Sequence, residues 1–300
     1  MTRFLYHVHI MWYELEMVSD TLDSLSKALQ YATIPVDIAV CFNKQTFLEK
    51  PITDNINEKF DTLATHPVLK NATIVEKTNN DSFFNVGDWR RTIKCTSGYT
   101  IWGESDTLIP NLYFPILEQL WDIRSELSEP HVISLASRKM WDETWLSVEH
   151  PLVKDFRIFT NGKSNATHPM GHDHTITQEE LDTFNEQFNN DLGLTQINPP
   201  KIDGSMLALH PRVPQLIPDD LHMISEDYCT QMALLIRQVP QYHISNIIKG
   251  HNYHHPNKRT NTLATRNEFG EVIRDGLEFN ELKNKSMQSI DTFLRGLVNG

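Results

Sequence analysis

Residues 85–106 read Asn85-Val-Gly-Asp-Trp-Arg-Arg-Thr-Ile-Lys-Cys-Thr-Ser-Gly-Tyr-Thr-Ile-Trp-Gly-Glu-Ser-Asp106. The polar-rich part from Val86 to Thr96 predicts a helix that Gly98 ends. Tyr99 to Trp102 predicts a strand running into the acidic turn Gly103-Glu104-Ser105-Asp106. The chain upstream repeats this succession. Phe4, Tyr6, Val8 and Ile10 alternate as one face of a strand, and Leu15, Val18, Leu22, Leu25 and Leu29 form the stripe of an amphipathic helix. Pro35 punctuates, and Val36, Ile38, Val40 and Phe42 alternate again. A weaker helix over 54–65, a strand from Ala72 to Val75 and a loop at 79–82 lead into the quoted stretch. The order β-α-β-α-β-α-β with short links predicts an α/β fold with a mostly parallel central sheet flanked by helices. Ligands of such sheets sit beyond the carboxyl ends of the strands, and Glu104 and Asp106 lie at one of those ends.

Downstream the pattern is less regular. Helices are expected over 116–121, 179–190, 224–238 and 286–298, the last with Met287, Ile290, Phe293, Leu294 and Leu297 inward. Val132 to Leu135, Phe156 to Phe159 and Gly204 to Leu209 read as strands, with a polar loop over 160–178. There is no internal repeat and no long linker, so residues 1–300 read as one domain.

Lys+Arg 27 against Asp+Glu 39 gives a net charge of −12, which disfavours general attraction to nucleic acid. A local basic channel from Lys249, Lys258, Arg259 and Arg266 would be needed for such a partner. No run approaches the roughly 20 apolar residues that span a bilayer, and His7 and His9 interrupt the apolar start that a signal peptide would need. Cys41, Cys95 and Cys229 stand at no metal-ligand spacing and read as reduced thiols, so a cytoplasmic setting is expected.

Four groups of residues carry potential chemistry. Glu104 and Asp106, two apart, can both reach one hard divalent cation such as Mg²⁺ or Mn²⁺, though an acidic turn after a strand is also an ordinary solvated loop. Arg90 and Arg91 could steady an anion near the start of their helix, or be surface arginines. Glu226 and Asp227 open a helix, where carboxylates also serve as caps. Lys249-Gly-His251-Asn-Tyr-His254-His255-Pro-Asn-Lys258-Arg259 reads as a loop dense in imidazole and positive charge. A further cluster, His168, His172, Asp173 and His174, reads as a polar loop, and Trp141 and Trp145 as core packing or a sugar-stacking pair.

Taken together, 85–106 and 224–255 resemble the donor-site blocks of GT-A nucleotide-sugar glycosyltransferases of the family-2 type. In that family an Asn-x-Gly loop opens a helix bearing an Arg, and a Gly precedes a strand that ends in an Asp-x-Asp-like metal motif. Asn85, Gly87, Arg90, Gly98, Tyr99 and Asp106 fall in these places. The resemblance implies a GT-A fold, with 1–130 as the nucleotide-sugar half, 131–255 as the acceptor half and 256–300 as a helical extension. It implies Mn²⁺ or Mg²⁺ held by Asp106, Glu104 and one of His251, His254 and His255, and phosphates held by Lys258 and Arg259. Asp227 would be the base of an inverting transfer from a nucleotide-diphosphate donor, commonly a UDP-sugar. Gly204-Ser-Met-Leu-Ala-Leu resembles the strand bordering the acceptor pocket. The chain departs from the family at Ile10-Met-Trp-Tyr-Glu14, at Phe42-Asn43-Lys44-Gln45-Thr46 and in having Glu104 for the first Asp. The acceptor is open: a glycan, a protein, a small molecule or a modified nucleic-acid base, the last as a phage enzyme would use. Rival readings are a nucleotidyltransferase using a nucleoside triphosphate and a non-catalytic nucleotide-sugar-binding protein.

Overall fold

In the first strand, β1 (Phe4–Met11), Phe4, Tyr6 and Val8 are buried on one face, and Leu5, His7 and His9 are buried on the other. This computed structural model describes residues 2–11, 15–44, 50–78, 86–105, 107–125, 129–137, 139–141, 147–149, 178–186, 193–198, 200, 202, 205–219, 221, 226–251 and 277–299. After β1 come α1 (Leu15–Leu29), β2 (Val36–Lys44), α2 (Lys50–Ala64), β3 (Leu69–Thr78), α3 (Val86–Thr92), β4 (Thr100–Glu104), β5 (Thr107–Leu108) and α4 (Tyr113–Ser125). Then follow β6 (Val132–Ser137), a hairpin of β7 (Lys139–Trp141) and β8 (Ser147–Glu149), α5 (Gln178–Glu186), β9 (Leu194–Ile197) and β10 (Leu207–Leu209). A 3-10 turn at Pro214–Leu216, α6 (Glu226–Ile236), β11 (Gln241–His251) and α7 (Leu277–Asn299) complete the order.

The main sheet runs β3-β2-β1-β4-β10-β6-β11-β5, with β9 also paired to β11. Strands β3, β2, β1 and β4 are mutually parallel, β10 is antiparallel to both β4 and β6, and β11 is parallel to β6. The carboxyl ends of β1, β2, β4 and β11 therefore share one edge, where Glu104 and His251 stand. On one face, Val18, Leu22, Leu25 and Leu29 of α1 and Ile56, Phe60 and Leu63 of α2 pack with Tyr113, Phe114 and Leu117 of α4 against Phe4, Tyr6, Val8, Ile38 and Ile101. Burying these side chains is the main favourable term for the α/β sandwich. On the other face, Trp102, Leu207, Leu209, Val213, Ile217 and Leu234 form a second cluster.

Gly98 lies against the chain entering β1, where a side chain would run into the carbonyl of Arg3. That close approach lets the Leu5 N–H reach the Tyr99 carbonyl at 2.9 Å. Gly98 thus serves strand entry; the helix before it stops at Thr92, earlier than the expected Thr96. Other boundaries also differ from expectation. Residues 249–251, read as loop, are the end of β11, and the strand read over 204–209 is only Leu207–Leu209. Of the expected 224–238 helix, Glu226–Ile236 is helical and 237–238 are a turn, with 224–225 outside the described residues; of the 179–190 helix, Gln178–Glu186 is helical and 187–190 lie outside them; α7 begins at Leu277. On α7 Ile290 is buried and Phe293 and Leu294 pack beside Leu221 and Cys229, but Met287 is 38% exposed rather than inward. Phe156 to Phe159 and the 168–174 cluster lie outside the described residues, as does Trp145. No helix among the described residues is long and apolar enough to cross a membrane, and Cys95 and Cys229 are free, buried thiols.

Strand β11 carries a bulge. Ile244 pairs with Leu135, but the next pairing, Ile248 with Ala136, comes after three additional residues. The backbone freed there is taken up by Asn185 of α5. Its Nδ2 donates to the Ile248 carbonyl at 2.9 Å, and its Oδ1 accepts from the Ile248 N–H at 2.9 Å. Asn185→Ala is expected to cost about 1–3 kcal/mol, because it strips partners from buried backbone groups. The check is the urea midpoint, with Asn185→Asp, which keeps an acceptor for the N–H, falling between Ala and wild type.

Candidate functional site

The acidic turn is held by its backbone. Ser105 is buried and its carbonyl accepts from Thr21 Oγ1 of α1 at 2.8 Å. β5 follows at once and pairs antiparallel with the end of β11, Leu108 opposite Gly250 and Thr107 opposite His251. The backbone carrying His251 therefore meets the chain one residue beyond Asp106. Asp106, Asn85, His254, His255, Lys258 and Arg259 lie outside the described residues, as does the His251 side chain.

A second junction joins the 85–92 block to the segment leading into α6. The Gly87 N–H donates to the Leu221 carbonyl at 3.1 Å, and a side chain at 87 would collide with the Pro218 carbonyl and Leu221. Arg91 donates to the Ile217 carbonyl at 2.5 Å. Gly87 and Arg91 thus seat α3 on residues 217–221. Asp227, half-buried, stands in the first turn of α6, six residues on from Leu221, the last described residue of that segment.

Between these junctions lies a polar layer that the alternation of β1 already contains. His7 pairs with Trp102 and His9 with Glu104 across the β1–β4 ladder. The His7 ring lies 4.4 Å from the ring of Trp89, and His9 lies 5.9 Å from the same indole. Arg90, buried, places its guanidinium 4.4 Å over Trp102, within cation–π range. Burial first, then the positive charge of Arg90, pushes both imidazoles down to about 3, so they are neutral at ordinary pH. Tyr6, buried beside Gly103, has its hydroxyl pushed up by burial and by the Glu104 carboxylate. In the sequence His7 and His9 stood out only as interruptions of an apolar start; period-two alternation alone assigns positions 5, 7 and 9 to the face opposite Phe4, Tyr6 and Val8.

Among the described residues, no three His, Cys, Asp or Glu side chains gather as a metal-binding group. Glu104 is the described carboxylate at the sheet edge, and the Thr107–His251 pairing brings the imidazole-bearing segment there. Carboxylate oxygens and an imidazole suit Mn²⁺, and carboxylates suit Mg²⁺. A separate cavity of about 410 Å³, lined by Gln196, Asn198, Leu235, Gln238 and Pro240, sits at the start of β11, the end away from His251.

No protein-family model and no curated protein matches the sequence. In fold the chain is similar to S. aureus TarS 1-349, at 12% identity and a TM-score of 0.45, covering 99% of this chain and 83% of that one. It is similar to the same protein in complex with UDP-GlcNAc at 13% identity and a TM-score of 0.43, over 83% of this chain and 58% of that chain. It is also similar to the mannosyltransferase PcManGT from Pyrobaculum calidifontis in complex with GDP-Man and Mn²⁺, at 14% identity and a TM-score of 0.47, over 99% and 75%. These matches extend over most of the chain.

The depressed pKa of His7 makes a stability prediction. The unfolded chain takes up a proton near the ordinary value of 6.5, whereas the folded protein resists it until about 3. The unfolded state binds more protons in that window, so stability falls as pH drops from about 6.5 toward 3. His7→Phe keeps a ring on Trp89 without the titrating nitrogens. Its denaturation midpoint is expected to fall less steeply across that window, by the contribution of one proton; a limb parallel to wild type would refute the assignment.

Proposed function

We propose that the chain is a metal-dependent glycosyltransferase. On this reading it moves a sugar from a nucleotide-diphosphate donor, a UDP-sugar, to a hydroxyl of a glycan or small-molecule acceptor, with inversion. The observation that carries the reading is the Thr107–His251 pairing, because it brings two distant blocks of the sequence resemblance to one sheet edge. The Gly87–Leu221 bond supports it by joining the block that opens α3 to the segment before Asp227. Residues 1–130 act as the donor half and 131–255 as the acceptor half of one domain, with 256–300 appended, in a cytoplasmic protein.

Asp106, Glu104 and one of His251, His254 and His255 are the residues that would hold Mn²⁺ or Mg²⁺, which supplies positive charge against the donor diphosphate. Lys258 and Arg259 bind the phosphates, and Asn85 contributes to holding the donor. Gly87, Arg90 and Arg91 act through position: they fix α3 against the 217–221 segment and Trp102. Asp227 takes the proton of the acceptor hydroxyl as its oxygen attacks the anomeric carbon. Attack opposite the departing nucleoside diphosphate inverts that carbon. A carboxylate in the first turn of a helix stays ionised with help from the helix dipole, as a base must.

The test is UDP or GDP release from a panel of nucleotide sugars by the purified protein with and without Mn²⁺. Asp106→Ala is expected to abolish the metal-dependent rate, and Asp227→Asn to lower it about 10²–10⁴-fold while donor binding persists. A rate indifferent to metal and to both substitutions contradicts the proposal.

A further inference from the structure

Ser205 and Met206 form the turn that enters β10, and their surroundings hold it unusually firmly. Met206 is fully buried at φ 52°, a left-handed conformation that a non-glycine residue keeps only where its neighbours over-determine it. The Tyr113 hydroxyl donates to the Met206 carbonyl at 3.2 Å. Lys249 Nζ donates to the Ser205 carbonyl and, at 2.7 Å, to the Ser205 hydroxyl.

Lys249 is itself completely buried near the end of β11. Taking a lysine head group out of water is costly unless hydrogen bonds compensate it, so such a residue is seldom there for packing alone. The position is informative. Leu207, next after the turn, pairs with Trp102, two residues before Glu104. Gly250 and His251, next after Lys249, pair with Leu108 and Thr107. One side chain therefore ties the strand that carries His251 to the turn that opens β10, both at the ligand edge of the sheet.

We propose that Lys249 is a positioning residue that locks the Ser205–Met206 turn as a rigid wall at the carboxyl edge of the sheet, where Glu104 and His251 stand. The proposal deepens the glycosyltransferase reading and rests on it for its catalytic consequence. Misplacing a wall that orients the attacking oxygen lowers turnover without removing the donor's own contacts.

The experiment pairs calorimetric titration with turnover for Lys249→Met in Mn²⁺, using UDP-GlcNAc and GDP-mannose as probes. Turnover per filled site is expected to fall at least about tenfold, with donor affinity within about threefold of wild type. A lysine that only supports folding would lower the number of filled sites and leave turnover per site unchanged, and that result overturns the proposal. Ser205→Ala, which keeps the carbonyl bond, should shift turnover in the same direction by a smaller factor. It decides the matter if Lys249→Met does not fold. Amide exchange separates this proposal from the function itself. Met206 and Leu207 should exchange at least about tenfold faster in either variant while Tyr6 and Val8 do not change, and unaltered exchange at 206–207 overturns the locking role. A wild-type protein that binds neither nucleotide sugar would instead overturn the transferase reading, leaving exchange to decide the role of Lys249.

Discussion

Two paired residues of β5, Thr107 and Leu108, close the sheet against the end of β11, and the arrangement of the candidate site depends on that short ladder. β4 and β11 are not neighbours: β10 and β6 lie between them. β5 gives the acidic turn a backbone hydrogen-bonded link to the last strand. The turn's other anchors reinforce this, since Thr21 holds the Ser105 carbonyl from α1 and Ser24 both donates to and accepts from the backbone of Ile109. On the opposite side, the β11 bulge and its Asn185 clamp set where residues 249–251 arrive.

The two faces of β1 differ in character, one apolar and one lined by rings and a buried charge. Phe4, Tyr6 and Val8 join the large apolar cluster, whereas His7 and His9 share the other face with Trp89, Arg90 and Trp102. Burying Arg90 between an indole and two imidazoles strengthens its field, because low dielectric magnifies a charge that water would screen. Those imidazoles stay neutral under its influence.

The first half of the fold was legible because its elements obey simple periods. β1 and β2 alternate, α1 carries its stripe at steps of three and four, and Phe4, Tyr6, Val8, Val18, Leu22, Leu25, Val36, Ile38 and Val40 lie in the core. The second half was less so for physical reasons. β11 reads Gln-Tyr-His-Ile-Ser-Asn-Ile-Ile-Lys, and the bulge after Ile244 breaks the period that would have marked it as a strand. β10 is only three residues long, and β5 two, too short for any pattern. Lys249, taken for part of a basic loop, is buried because that loop's first residues are strand. Arg91 and Gly87 stood out by their spacing, yet the contacts that the structure gives them are to residues 217–221, more than a hundred positions away. No local reading supplies such partners. The residue types at the sheet edge were visible in the sequence; the backbone pairing that assembles them was not.

The central claim is that the acidic turn and the histidine-bearing segment after β11 share one cation. Pulsed electron paramagnetic resonance of the Mn²⁺-loaded protein tests it directly, because a coordinated imidazole imposes a nitrogen hyperfine coupling on the metal. The account predicts that this coupling is present in the wild type and disappears when His251, His254 and His255 are together replaced by alanine. Bound Mn²⁺ without nitrogen coupling, or a coupling that survives loss of all three, would contradict it.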